Sequence, residues 1–201
     1  LIVASSLFAS EKIFVGERES SSIAVIENDK FKNRMENFRN TNHSVVKFYK
    51  DEAYAISRDG YVIKFDPKKE IIEAEYNTSK SAIGFEISEY FVAVANYDDK
   101  SVDVLTKDLK PLKKIVTNSR NVGIKLYKNY MIFSQMDSDI ISVYKDLNEG
   151  KKEPNFVLHK EFKNAGEMPF DAMLQEQSYI MGFFNSAFFG VVDLEKMEYK
   201  K

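Results

Sequence analysis

A recurrence near forty residues constrains this chain more than any other feature. Five segments share one pattern: an apolar strand, a short polar turn, a second apolar strand and usually an acidic stop. They read IFVGERESSSIAVIEND, YAISRDGYVIKFDP, VAVANYDDKSVDVLTKD, MIFSQMDSDIISVYKD and IMGFFNSAFFGVVDLE. Aligned on the second strand at Ile23, Val62, Val102, Ile141 and Phe189, they are spaced by 39, 40, 39 and 48 residues. A hairpin repeating at this period is the signature of a β-propeller. One hairpin is too small to bury its own faces, so it must stack on its neighbours. The unbroken apolar runs at residues 92–95 and 131–133 predict strands covered on both faces. The expected fold is all-β: a partial propeller of about four to five blades, each a four-stranded antiparallel sheet.

The clearest unit is residues 42–66, NHSVVKFYKDEAYAISRDGYVIKFD. It predicts strands at 43–48, 53–57 and 61–65, with turns at 50–52 and 58–60. Residues 29–39 are polar nearly all round and read as strand with turns, not helix. Residues 148–154 insert a charged loop, which lengthens the last interval. Glycine is sparse, at 8 residues, so Asp, Asn, Ser and Lys carry the tight turns, as at residues 97–100.

Composition excludes several classes. With 44% hydrophobic and 30% charged residues the chain is not disordered. A net charge of -2 with interleaved signs argues against a nucleic-acid footprint. The absence of cysteine removes disulfides, thiolate metal sites, covalent haem attachment and a thiol nucleophile. No apolar run is long enough for a transmembrane span. Residues 1–10, LIVASSLFAS, read as the remnant of an export signal cut near Ala9, which predicts a periplasmic protein. An ordinary first strand is the alternative. Residues 11–201 then form the N-terminal part of a propeller. The charged end, with no strand returning to the first blade, predicts a piece of a longer protein. An open arc would expose two blade faces, which predicts pairing or poor solubility.

Few residues carry chemistry. His43 reads either as an ordinary histidine or as a metal ligand or proton carrier, with Ser44 placed to orient it. His159, between Leu158 and Lys160, reads as surface. Arg18, Arg58 and Arg120 recur beside turns, and a guanidinium grips a carboxylate bidentately. Arg58 can instead brace its turn through Asp59, whereas Arg120 has no adjacent acid. Asp171, between Phe170 and Ala172, reads as a desolvated acid–base group or as a turn cap. The Phe183–Phe184 and Phe188–Phe189 pairs read as core or blade-interface residues.

The order of several patches resembles the haem d1 propeller family: the d1 domain of cytochrome cd1 nitrite reductase and its relatives in haem d1 biosynthesis. Glu17-Arg18 followed by serines and Ile23-Ala24-Val25-Ile26 resembles the family's first hairpin. His43-Ser44-Val45-Val46 is similar to its H-x-S strand, whose histidine is the proximal ligand of the d1 iron in the reductase. Arg58-Asp59-Gly60, VAVANY at 92–97, Ser119-Arg120 with Val122-Gly123, and Pro169-Phe170-Asp171-Ala172 follow in register. The match covers most of residues 11–195, about the first half of an eight-bladed member. The resemblance implies haem d1 or a dihydro-haem d1 precursor as cofactor. It implies His43 as ligand of the haem iron or proton shuttle, and Arg18, Arg58 and Arg120 on the macrocycle's carboxylates. Asn96 and Tyr97 would lie against the ring, and Asp171 would act as acid or base. It implies a role in haem d1 biosynthesis for nitrite reduction and denitrification, with an oxidoreductase-type change to the macrocycle. Other biosynthesis proteins or nitrite reductase would be partners. Lack of cysteine for a haem c favours the biosynthesis branch or a stand-alone d1 binder. Two alternatives stay open: a non-catalytic periplasmic scaffold that binds a protein partner, and the d1 domain of a nitrite reductase fed by an external donor. What separates them is whether His43, Arg58, Arg120 and Asp171 converge on one axial opening.

Overall fold

A computed structural model describes residues 11–201, and every described element is a strand. The expected leader at residues 1–10 lies outside the described residues. The first sheet holds β1 (Lys12–Glu17), β2 (Ser22–Glu27) and β3 (Lys30–Met35). The second holds β4 (Val46–Tyr49), β5 (Glu52–Ile56), β6 (Tyr61–Asp66) and β7 (Ile71–Asn77). The third runs β8 (Ala82–Ile87), β9 (Phe91–Asn96), β10 (Ser101–Thr106) and β11 (Pro111–Val116). The fourth runs β12 (Asn121–Tyr127), β13 (Tyr130–Gln135), β14 (Ile140–Asp146) and β15 (Phe156–Phe162). The fifth runs β16 (Pro169–Gln175), β17 (Ser178–Phe183), β18 (Gly190–Asp193) and β19 (Glu198–Lys200). Each sheet is an antiparallel meander in chain order. The first strands of consecutive sheets touch, β4 on β8, β8 on β12 and β12 on β16, so they line a common axis. This is a partial β-propeller.

The repeat alignment holds for four units. Ile23, Val62, Val102 and Ile141 are each the second residue of β2, β6, β10 and β14, and each is fully buried. That alignment places β1 second in its blade, so the described part of the first blade has three strands. Phe189 departs from the pattern. It precedes β18 and is 69% exposed, because the fifth unit's turn is longer.

Alternation explains the unbroken apolar runs. Val92 and Val94 of β9 pack toward the second blade, with Tyr54, Ile56 and Val62. Ala93 and Ala95 of the same strand pack toward the fourth, with Met131 and Phe133. Successive side chains point to opposite faces, so a blade covered on both sides needs apolar residues at every position. The fifth blade packs Tyr179, Met181 and Val192 on the fourth, while Ile180 and Val191 between them stay half-buried.

The first two blades share an aromatic and an ionic clamp. Phe65 is wholly buried among the rings of Phe14, Phe38 and Phe48. On the rim, Glu70 accepts hydrogen bonds from Lys12 at 2.6 Å, Lys32 at 2.8 Å and Asn33 at 3.0 Å. Burial works against ionisation of this carboxyl, but the bonds from Lys12, Lys32 and Asn33 outweigh it and hold its pKa at about 2, against an ordinary 4.5. The folded value is depressed, so this stabilisation is fully present above 4.5 and is lost as pH falls toward 2. Glu70→Gln is expected to cost about 1–2 kcal/mol at neutral pH, with the difference from wild type shrinking below pH 4.5. Urea unfolding at pH 7 and pH 3 measures both numbers.

Candidate functional site

A cleft of about 730 Å³ opens between the first strands of the blades. That lies within the range of small-molecule and cofactor sites. Its walls come from two recurring positions. The innermost strands and their lead-ins supply His43, Ser44, Val45, Lys47, Ile83, Gly84, Phe85, and Val122 through Lys125, with Phe170 and Asp171 beyond. The turns between the second and third strands supply Arg58, Tyr97, Met136 and Phe184. Four of the sequence-predicted site residues, His43, Arg58, Tyr97 and Asp171, therefore line this opening.

Their local settings differ from expectation. His43 is not at a strand start: it occupies a left-handed turn, with φ 61, and β4 begins three residues later. The turn is closed by the Ser44 N–H donating to Thr41 O at 3.0 Å. The imidazole is exposed on the cleft and has no hydrogen-bond partner among the described residues. Ser44 does not orient it, because its hydroxyl donates to Ile56 O at 2.6 Å. His159 is exposed and lies against Tyr130, away from the cleft.

The arginines separate into different roles. Arg58 faces the Tyr97 ring at 5.7 Å and makes no ion pair among the described residues. Asp59, its expected partner, instead accepts from the Asn40 N–H. Arg120 was expected to be the unpaired one, and it is not. Its Nε donates to Asp137 Oδ1 at 2.7 Å, its Nη1 to the Tyr97 hydroxyl at 2.7 Å and its backbone N–H to Asp137 Oδ2 at 2.9 Å. Arg120 is therefore a brace that holds Tyr97 and lies behind the cleft wall. Arg18 is exposed on the first blade's turn and does not line the opening.

Two further expectations are corrected. Asn96 does not face the cleft. It is wholly buried, donating to Asp103 Oδ2 at 2.6 Å and Ser101 Oγ at 3.1 Å and accepting from Thr78 Oγ1 at 2.8 Å. This network ties the strands of its blade. Asp171 lines the cleft but is exposed, and its Oδ1 accepts from the Ala172 N–H at 2.8 Å, so the expected desolvation is absent. Phe184 is likewise not core: it is exposed and packs on Phe170 at 4.4 Å at the cleft rim.

Lys47, Glu86 and Lys125 also meet at the cleft wall, although no motif in the sequence marks them. Lys47 Nζ donates to Glu86 Oε1 at 2.6 Å and to Phe85 O at 2.7 Å, and Lys125 Nζ donates to the same Glu86 oxygen at 3.2 Å. Burial pulls the Lys47 ammonium below the ordinary lysine range, Glu86 opposes this, and Lys125 adds to it. A signal for these residues existed. Lys47, Glu86 and Lys125 recur at 39-residue spacing, as do Arg58, Tyr97 and Met136.

The cleft thus combines an apolar strip (Ile83, Phe85, Val122, Ile124) with Lys47, Arg58, Lys125 and His43 facing Asp171. It is a cationic concavity in a chain of net charge -2. Among the described residues no three His, Cys, Asp or Glu side chains gather as a metal site. No described helix is long and apolar enough to cross a membrane.

Fold and cleft together describe a partial β-propeller with a cationic, partly apolar cleft lined by its innermost strands. The family model described as Cytochrome D1 heme domain matches residues 9–144, more than half of the sequence, and the chain belongs to that family. Among solved structures it is similar to the dihydro-heme d1 dehydrogenase NirN in complex with DHE, at TM-score 0.75 and 15% identity, covering 97% of this chain and 45% of that one. It is similar to a functionally unknown protein from Desulfotomaculum acetoxidans DSM 771, at TM-score 0.77 and 12% identity, covering 94% and 64%. It is also similar to the computationally designed Ika8 protein, at TM-score 0.74 and 12% identity, covering 95% and 58%. At such identities the likeness shows the fold. The chain spans less than half the length of NirN. No curated protein matches it.

Proposed function

We propose that this chain binds haem d1, or a dihydro-haem d1 precursor, in the axial cleft and acts in haem d1 biosynthesis for denitrification. The observation that carries the reading is the convergence of His43 and an unpaired Arg58 on one apolar-walled, cationic opening. A d1-type macrocycle is planar and apolar with carboxylates at its edge, and the cleft presents matching surfaces. Arg58 would hold a carboxylate, Tyr97 would meet the ring with Arg120 fixing its angle, and His43 would ligate the iron or carry a proton. Asp171 is the acid within the same opening. The bound group would supply the redox chemistry, and the chain would orient it. Of the family's branches, the sequence most resembles the biosynthesis protein NirF. Periplasmic location follows from that reading and from the leader expected at residues 1–10.

Visible-absorption titration with haem d1 tests the assignment of the arginines. Arg58→Ala is expected to weaken binding about tenfold, as loss of one charge-assisted carboxylate contact does. Arg120→Ala should cost less than about threefold, because its guanidinium is committed to Asp137. Unchanged affinity for Arg58→Ala would remove it from the site.

A further inference from the structure

We propose that Lys47, Glu86 and Lys125 form a carboxylate-selecting subsite on the wall of the cleft, in which Lys125 takes one ligand carboxylate and Glu86 prevents the subsite from taking a second. The inference rests on the reading of the cleft as a tetrapyrrole site and extends it to a specificity element away from His43.

The three residues occupy one equivalent position on the consecutive inner strands β4, β8 and β12. Both ammoniums converge on a single oxygen, Glu86 Oε1, and the shared carboxylate leaves one positive charge over. Lys47 is the firmly held partner, with its second bond to Phe85 O and its charge near the Phe85 ring at 5.4 Å. Lys125 is the looser one: its contact with the shared oxygen is 3.2 Å and its Nζ has no other acceptor among the described residues. All three side chains are 20–30% exposed, so the surplus charge is reachable from the cleft but poorly hydrated. A half-buried surplus cation is relieved by an incoming anion. Asp171, the cleft's other acid, is close enough to act on the Lys47 charge, but it makes no ion pair with Lys125 among the described residues, so the Lys125 ammonium stays open to a ligand carboxylate. Once Lys125 has turned to a ligand carboxylate, Lys47 stays neutralised by Glu86. A second carboxylate would then meet Glu86 as a like charge.

The test uses metal-free porphyrins, so that iron ligation by His43 contributes nothing. Coproporphyrin, a tetracarboxylate, and mesoporphyrin, a dicarboxylate, are titrated by fluorescence into the full chain, with far-UV circular dichroism confirming that each variant is folded. Lys125→Gln is expected to weaken coproporphyrin about tenfold, and Lys125→Arg to restore it. Glu86→Gln is expected to tighten coproporphyrin about tenfold while changing mesoporphyrin by less than about threefold. A purely structural ion triad would move thermal stability without moving the ratio of the two affinities. An unchanged ratio in Glu86→Gln, or unchanged affinity in Lys125→Gln, overturns this inference alone, provided wild type still binds. Absence of porphyrin binding by a wild type that still binds haem d1 overturns this inference alone. Where neither porphyrin nor haem d1 binds, the failure belongs to the reading of the cleft. Where haem d1 binds and the variants are silent, it belongs to the subsite.

Discussion

Gly60→Ala is expected to lower stability by about 3–4 kcal/mol and to displace the turn that carries Arg58. Gly60 sits at φ +91, a region that L side chains rarely adopt, and an added Cβ would lie 1.2 Å from the backbone oxygen of Ser79. That neighbour is main chain and cannot rotate aside. The backbone here is also fully engaged. The Gly60 N–H donates to Ser57 O at 3.0 Å, and Gly60 O accepts from the Thr78 N–H at 2.8 Å and the Thr78 hydroxyl at 3.0 Å. Moving Gly60 breaks the bond that ends β7 and displaces Arg58, two residues earlier on the cleft. Chemical denaturation gives the stability change. A loss under about 1 kcal/mol would show that the turn is softer than its geometry indicates.

Phe65→Ala is expected to cost about 3–5 kcal/mol, the range for deleting a buried aromatic side chain. The ring is wholly buried, edge-on to Phe38 at 5.4 Å and tilted against Phe14 at 5.5 Å. Phe14 and Phe38 belong to the first blade's segment and Phe65 to the second, so the cavity opens at the seam between blades. Repeats stabilise one another through such nearest-neighbour faces. The variant should therefore unfold the first blade before the rest, and hydrogen exchange should report early loss of protection in β1 to β3. Uniform loss across all five blades would mean that the seam is not the weak interface.

The architecture was legible because propeller blades enforce a spacing. A strand packed on both faces must be apolar at each position, and that requirement wrote Val92 to Ala95 and Met131 to Phe133 into the sequence. The site was less legible because its contacts join residues that neither adjacency nor hairpin alignment connects. Arg120 has no acid beside it in sequence, yet Asp137 reaches it from 17 residues away, because the turn between second and third strands lies beside the lead-in to the first. The same fold geometry puts Ser81 against Asp98. His43 looked like a strand residue because Val45, Val46 and Phe48 follow it, but the chain turns through a positive φ before β4 starts. The resemblance puts Asn96 against the ring beside Tyr97, whereas strand alternation sends it into the blade. Lys47, Glu86 and Lys125 lie on inner strands, which the hairpin alignment left out, although their 39-residue spacing repeats the same period.

The most direct test of the tetrapyrrole reading is a visible-absorption titration of the full chain with haem d1 and its dihydro precursor, for wild type and His43→Ala. Binding in the axial cleft predicts a saturable Soret shift in wild type that His43→Ala alters or abolishes, because the imidazole is the histidine that lines the opening. No shift with either macrocycle would contradict the account and leave a propeller scaffold that binds a protein partner.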